Sequence, residues 1–81
     1  MDVFSRAVQL RHLRCFVAVA QQRHLARAAE KLALSQPAVS KTLVELEQLA
    51  GARLVARGRR GAQLTPAGEQ LLAHALRVLE A

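Results

Sequence analysis

The feature that most constrains this fold is a pair of helical patterns joined by only a few residues. The first covers about residues 25–32, where apolar residues recur with helical spacing and two consecutive alanines allow close helix approach. Residues 33 and 34 form a tight turn, and we expect Leu34 to be buried between the helices, where it helps to fix their crossing angle. The second pattern begins at Ser35, a favourable N-cap residue, with Pro37 in the first turn. The sequence therefore predicts a short helix, a tight turn and a second helix.

Further patterns flank this helix-turn-helix unit. Apolar residues from Leu10 onward follow one helical stripe that ends near residues 22–23. Short apolar-bearing segments on either side of a glycine-flanked tip at residues 58–61 predict a small hairpin. Thr65 and Pro66 then begin a last helix as its cap and its first residue. Gly51 is a natural stop for the second helix of the unit, whose predicted buried positions are Val39, Leu43, Leu46 and Ala50.

Composition indicates a single small helical domain. The chain has 81 residues, of which 52% are hydrophobic, with two Phe and no Trp or Tyr, so its core consists mainly of Leu, Val and Ala. Helices accommodate Leu and Ala at little entropic cost. We therefore predict a mainly α fold of three helices, a small hairpin and a long terminal helix, with residues 1–9 as a loose lead-in.

Charge and cysteine usage limit the classes of function. A net charge of +6 suits a polyanionic partner, although charge alone leaves DNA, RNA and anionic membranes open. The single cysteine, Cys15, excludes an internal disulfide and fits a reducing cytoplasm. No apolar run approaches the ~18 residues of a membrane span. The three histidines lack metal-ligand spacing, so we predict no metal site. Glu45 and Glu47 face different directions and cannot form a carboxylate pair, so we predict no catalytic residues and no cofactor.

Several short motifs follow one another through the chain in a fixed order. They are LRHLRCFVAVA at residues 10–20, AAEKL at 28–32, SQPAVSK at 35–41, LE at 46–47, Arg57, and LTPAG at 64–68. Over residues 10–81 this series resembles the N-terminal part of LysR-type transcriptional regulators. The resemblance implies a winged helix-turn-helix DNA-binding domain at residues 10–65 and a linker helix at residues 66–81. It implies a cytoplasmic, nucleoid-associated regulator of transcription rather than an enzyme.

The same resemblance implies an assembly and a missing domain. The linker helix would pair with its twin to form a homodimer, and the full-length protein would form a tetramer in many members of the family. A small-molecule effector would bind only to a C-terminal domain that lies outside this chain. The dimer would read an interrupted palindrome in double-stranded DNA.

The recognition helix carries the first set of candidate DNA contacts. Gln36 and Ser40 share one face, Pro37 and Lys41 form the neighbouring row, and this face is separate from the apolar stripe. A glutamine can donate and accept at the major-groove edge of adenine, and a proline ring suits a thymine methyl group. In the resembled family the matching residues contact DNA. Ser35 serves mainly as the cap and can also contact a phosphate. For Pro37 and Ser40 an alternative to DNA contact stays open, in which Pro37 only starts the helix and Ser40 is only a solvated surface residue.

The predicted hairpin carries the second set, because three arginines lie beside its two glycines. Arginine inserts readily into the narrow minor groove of A·T-rich DNA. The resemblance matches Arg60 to the wing arginine that reaches this groove, while Arg59 is a candidate phosphate contact and Arg57 can be structural. On the second helix, Arg27, together with Arg23, can replace the phosphate contacts that hydroxyl residues make in other members.

The last helix carries two apolar rows, of which one can cover its own domain and the other is left for a partner. The predicted dimerisation residues are Leu71, Leu72, Ala75, Leu76, Val78 and Leu79. Three other interpretations remain open. The domain can be a protein–protein adaptor, a binder of anionic membranes, or a DNA-binding regulator of another winged-helix family. A polar and basic recognition face argues against the adaptor, and apolar stripes already used in a core argue against the membrane.

Overall fold

The computed structural model describes residues 7–80, which form four helices and one two-stranded hairpin. The predicted lead-in therefore lies largely outside the described residues, since residues 1–6 are not among them. The elements follow the order predicted from the sequence, and the mainly α prediction is confirmed. They are α1 (Leu10–Gln22), α2 (Leu25–Leu32), α3 (Gln36–Ala50), β1 (Val55–Gly58), β2 (Gly61–Leu64) and α4 (Pro66–Glu80).

Helix α1 lies at the centre of the fold and contacts α2, α3 and α4. Phe16 and Val19 on α1 are completely buried, and Val39 and Leu46 on α3 pack into the same core. Leu54, just before β1, is also completely buried and joins the hairpin to this core. Aliphatic side chains thus form nearly all of the interior, as the composition predicts.

Backbone hydrogen bonds close the turn between α2 and α3. Ala33 adopts the left-handed conformation with φ 56°, and the N–H of Leu34 donates to the carbonyl of Ala29 at 2.9 Å. This is the hydrogen-bond pattern of a Schellman motif, in which backbone N–H groups satisfy the free carbonyl groups at the end of a helix. The predicted burial of Leu34 is wrong, because 48% of this residue is exposed. Ser35 caps α3 as predicted, and its Oγ accepts from the N–H of Ala38 at 3.2 Å.

The hairpin is anchored to the helices through β2, close to the turn at its tip. Its two antiparallel strands pair in a register that runs from Val55 opposite Leu64 to Gly58 opposite Gly61. The N–H of Ala62 donates to the carbonyl of Arg23 at 2.8 Å, which ties β2 to the turn between α1 and α2. Gly61 has φ +87°, and a Cβ atom at this position would overlap the Arg23 carbonyl oxygen. A glycine is therefore required where the hairpin meets that turn.

Helix α4 uses one apolar row for its own core. Leu71 and Ala75 are 1% and 0% exposed, so their prediction as dimerisation residues is wrong for this fold. They pack against the buried face of the same domain, which leaves no surface on them for a partner. The second row, Leu72, Leu76 and Leu79, is only half-buried, and Val78 is 40% exposed. Within the described part of the chain, no helix is long and apolar enough to cross a bilayer.

Candidate nucleic-acid interface

One side of α3 presents polar side chains outside the core. Gln36, Pro37 and Lys41 are exposed and Ser40 is half-buried, whereas Val39 between them is completely buried. This separation follows from the 3.6-residue period of the helix, since positions 36 and 40 lie one turn apart on the same side. We call Gln36, Pro37, Ser40 and Lys41 the reading face.

An exposed valine extends the reading face by one turn. Val44 lies four residues after Ser40 and is 43% exposed. It is apolar but lies off the buried stripe of α3, and this mismatch is the sequence signal that would have identified it. An exposed aliphatic side chain next to polar donors suits a surface that contacts both base edges and methyl groups.

Arg57 on β1 reaches the reading face directly. Its Nη2 atom donates a hydrogen bond to the Oγ of Ser40 at 2.9 Å, although the two residues are 17 positions apart in sequence. The sequence suggested a structural role for Arg57 without naming a partner. Its partner is the hydroxyl group at the centre of the reading face, so the hairpin and α3 form one continuous surface.

The arginines at the hairpin tip extend away from the core. Arg59 and Arg60 occupy the two-residue turn between β1 and β2, and both are exposed. Arg23 and Arg27 are exposed as well: Arg23 lies in the turn between α1 and α2, whose backbone contacts β2, and Arg27 lies on α2. His24 caps α2 poorly, as predicted, because its side chain accepts no capping hydrogen bond.

Glu47 connects α3 to the start of the hairpin, a role that sequence reasoning missed. Its Oε2 atom accepts from the backbone N–H groups of Leu54 at 2.8 Å and Val55 at 3.2 Å. Arg53 lies beside the same carboxylate, with its Nε atom 3.8 Å from Oε2. An acidic residue in the last turn of a helix is disfavoured by the helix dipole. That unfavourable position was the available signal that Glu47 has a specific partner.

The buried titratable groups serve packing. His12 is buried, its Nδ1 accepts from the N–H of Gln9 at 2.9 Å, and burial lowers its pKa, with the neighbouring Arg11 acting in the same direction. The thiol of Cys15 donates to the carbonyl of Val39 at 3.5 Å, and burial raises its pKa. Neither group is poised for chemistry, since a buried thiol stays protonated. Among residues 7–80, no group of three His, Cys, Asp or Glu side chains could hold a metal ion.

Comparisons with known proteins agree with this arrangement. The family model described as "Bacterial regulatory helix-turn-helix protein, lysR family" matches residues 10–69. The chain is 70% identical over 80 residues to the uncharacterized HTH-type transcriptional regulator YdcI of Escherichia coli (strain K12), covering 99% of this chain and 26% of that protein. It is 51% identical over 73 residues to the Hca operon transcriptional activator HcaR of the same strain, covering 90% of this chain and 25% of that protein. The chain thus spans about a quarter of the length of these relatives.

Solved structures show the same similarity. The BenM_DBD/catB site 1 DNA complex matches with a TM-score of 0.86 and 39% identity, covering 89% of this chain and 81% of that chain. The CbnR_DBD–DNA complex matches with a TM-score of 0.85 and 40% identity, covering 89% of this chain and 83% of that chain. Both of these neighbours were solved with DNA bound.

Proposed function

Because this chain belongs to the lysR family of bacterial regulatory helix-turn-helix proteins, we propose that it reads a specific double-stranded DNA site as a homodimer. Its winged helix-turn-helix is a DNA-binding domain of transcription regulators, and the relatives are regulators rather than enzymes. The observation that carries the finer proposal is the reading face itself. Four positions that are not needed for the core, residues 36, 37, 40 and 41, present an amide, a ring, a hydroxyl and an ammonium group on one side of α3.

We assign the reading face to the major groove. An α-helix fits this groove, and Gln36 can donate to and accept from the edge of adenine at the same time. Lys41 can reach a guanine edge or a phosphate from the same side of the helix. Ser35, at the N-cap, lies where a helix N-terminus favours a phosphate. These contacts would supply the sequence preference of the protein.

We assign the hairpin tip to the minor groove. Arg60 is exposed in the turn between the strands, and an arginine there suits the enhanced negative potential of a narrow A·T-rich groove. Arg59 would contact the adjacent phosphates, and the exposed Arg27 on α2 would contact further phosphates. The net charge of +6 supports this division, because phosphate contacts supply most of the affinity in such complexes.

We also propose that α4 forms the dimer interface. Its half-buried row, Leu72, Leu76 and Leu79, forms an apolar strip that the domain only partly covers, and Val78 is exposed at the end of the neighbouring row. Pairing with a second copy would bury this strip and place two recognition helices about 34 Å apart, one turn of DNA. The matching DNA would be an interrupted palindrome. Such a regulator would work in the bacterial cytoplasm, next to the nucleoid.

Selection from random duplexes tests this function most directly. The 81-residue chain is incubated with random DNA at two salt concentrations, the bound duplexes are sequenced, and its oligomeric state is measured by sedimentation in parallel. We expect enrichment of an interrupted palindrome, binding that weakens steeply with salt, and a dimer. Binding without any sequence preference would contradict the proposal, and a polar, basic reading face would then have to serve another polyanion.

A further inference from the structure

We propose that Arg57 positions the Ser40 hydroxyl for base recognition, so that the wing and the recognition helix select sequence as one unit. This inference rests on the proposed function, because it assigns a role within the same DNA-reading surface. Its basis is the hydrogen bond of 2.9 Å from Arg57 Nη2 to Ser40 Oγ. Arg57 is therefore a positioning residue that acts through Ser40.

The direction of this hydrogen bond determines what Ser40 can offer to DNA. An arginine carries only donors, so the oxygen of Ser40 accepts and the hydroxyl keeps its single proton for another partner. Among residues 7–80 the structure records no acceptor for that proton. The positive guanidinium on one side of the oxygen repels a second donor and favours an O–H that points away from it. Ser40 thus presents a donor, which matches N7 of a purine, O6 of guanine or O4 of thymine.

The backbone that carries Arg57 is held in place from α3. Glu47 accepts hydrogen bonds from Leu54 and Val55 at the start of β1, and it lies seven residues after Ser40. Seven residues are about two helical turns, so Glu47 and Ser40 face the same side of α3. Val55 and Arg57 are two residues apart, so they face the same side of the strand. Helix α3 therefore contacts β1 at two points, one at the strand's start and one at the Arg57 side chain.

The neighbouring strand restrains the same position from the other side. Arg57 lies opposite Ala62 in the hairpin register, and the N–H of Ala62 donates to the carbonyl of Arg23. Arg59, by contrast, lies in the turn between the strands and has no such tether among the described hydrogen bonds of residues 7–80. The two arginines carry the same charge and differ in this contact, which makes Arg59 a matched control for Arg57.

Selection from random duplexes with four variants tests the positioning role. The 81-residue chain, Ser40→Ala, Arg57→Met, their double variant and the control Arg59→Met are each selected and sequenced. We expect Ser40→Ala and Arg57→Met to reduce discrimination at the same base position by about tenfold, and the double variant to reduce it no further. Arg59→Met should weaken binding while it keeps the full base preference. A 7-deazapurine at the affected position should abolish the difference between the 81-residue chain and Ser40→Ala if N7 is the acceptor.

Two results would overturn the inference, and they differ from the failure of the proposed function. In the first, Arg57→Met weakens binding to all sites equally and lowers the slope of the logarithm of the binding constant against the logarithm of salt concentration by about 1. Arg57 would then be a phosphate contact. Loss of preference at different positions in Ser40→Ala and Arg57→Met would show that the two residues act separately. In both cases the unsubstituted chain still selects a site, whereas an unsubstituted chain without preference would overturn the proposed function as well.

Discussion

The carboxylate of Glu47 accepts a hydrogen bond from the backbone N–H of Leu54 at 2.8 Å, which joins the end of the recognition helix to the start of the wing. The same oxygen accepts from the next residue, Val55, at 3.2 Å. Without this carboxylate, two partly buried N–H groups would lose their acceptor. This side chain of α3 therefore helps to set the orientation of the wing, together with the bond from Ala62 to the Arg23 carbonyl.

We expect Glu47→Ala to destabilise the fold by about 2 kcal/mol, because hydrogen bonds to a charged acceptor are lost and the donors stay partly buried. Chemical denaturation followed by circular dichroism measures this change. Glu45→Ala is the matched control, since Glu45 forms only a partly exposed ion pair with Arg11 at 3.5 Å. The control should cost no more than ~1 kcal/mol. Equal losses in both variants would contradict the role of Glu47.

Gln36→Ala should remove base discrimination at one position and weaken specific binding by about 1–3 kcal/mol. The reason is that Gln36 is exposed on the reading face and has no role in the core. Selection from random duplexes measures the preference, and Gln48→Ala, an exposed glutamine in the last turn of the same helix, is the control. An unchanged preference in Gln36→Ala would remove Gln36 from the reading set.

Arg60→Ala should weaken binding most when the flanks of the site are A·T-rich. A narrow minor groove concentrates negative potential, so an inserted arginine gains more there than in a wider groove. Titrations on two duplexes that differ only in their flanks measure the difference. Arg77→Ala, an exposed arginine on α4, provides the control for loss of charge. Equal losses on A·T-rich and G·C-rich flanks would argue against minor-groove insertion.

Leu76→Glu should convert the dimer to a monomer, because a carboxylate in the half-buried row of α4 cannot be buried against a second copy without a large desolvation cost. Sedimentation measures the oligomeric state, and circular dichroism shows whether the variant remains folded. Arg77→Glu places the same carboxylate at the adjacent exposed position as a control. A folded Leu76→Glu variant that still sediments as the unsubstituted dimer would place the interface elsewhere.

Stability should fall as the pH drops below the ordinary histidine pKa of about 6.5, and His12 should account for part of this loss. Burial lowers the pKa of His12 in the folded state, so below that pH the unfolded chain binds a proton that the folded chain does not. Above that pH His12 is neutral in both the folded and the unfolded state, so it no longer lowers the free energy of unfolding. Arg11 strengthens this lowering and Glu45 opposes it.

Denaturation at about pH 7.5 and about pH 5.5 tests this dependence around the ordinary pKa. His12→Gln is the informative variant, because a glutamine at this position can still accept from the N–H of Gln9 but does not titrate. We expect a smaller difference between the two pH values in the variant. An identical difference in both proteins would show that His12 does not contribute.

The order and type of the elements could be predicted because they depend on short-range patterns. The caps at Ser35 and Thr65, the stop at Gly51 and the buried stripe of α3 all appear in the structure where the sequence places them. The reading face follows from the same periodicity, since residues outside the stripe must point away from the core. Its contact with DNA remains a prediction.

Only the tertiary structure decided which surfaces meet across long stretches of sequence. Leu34 is exposed in a turn that backbone hydrogen bonds close, and Leu71 and Ala75 are buried because α4 packs against α1. The bond between Arg57 and Ser40 likewise depends on where the hairpin is placed relative to α3. Helical periodicity by itself relates residues only within one helix, so it identifies the faces of each element but not their partners. The placement of whole elements around a shared core determines those partners.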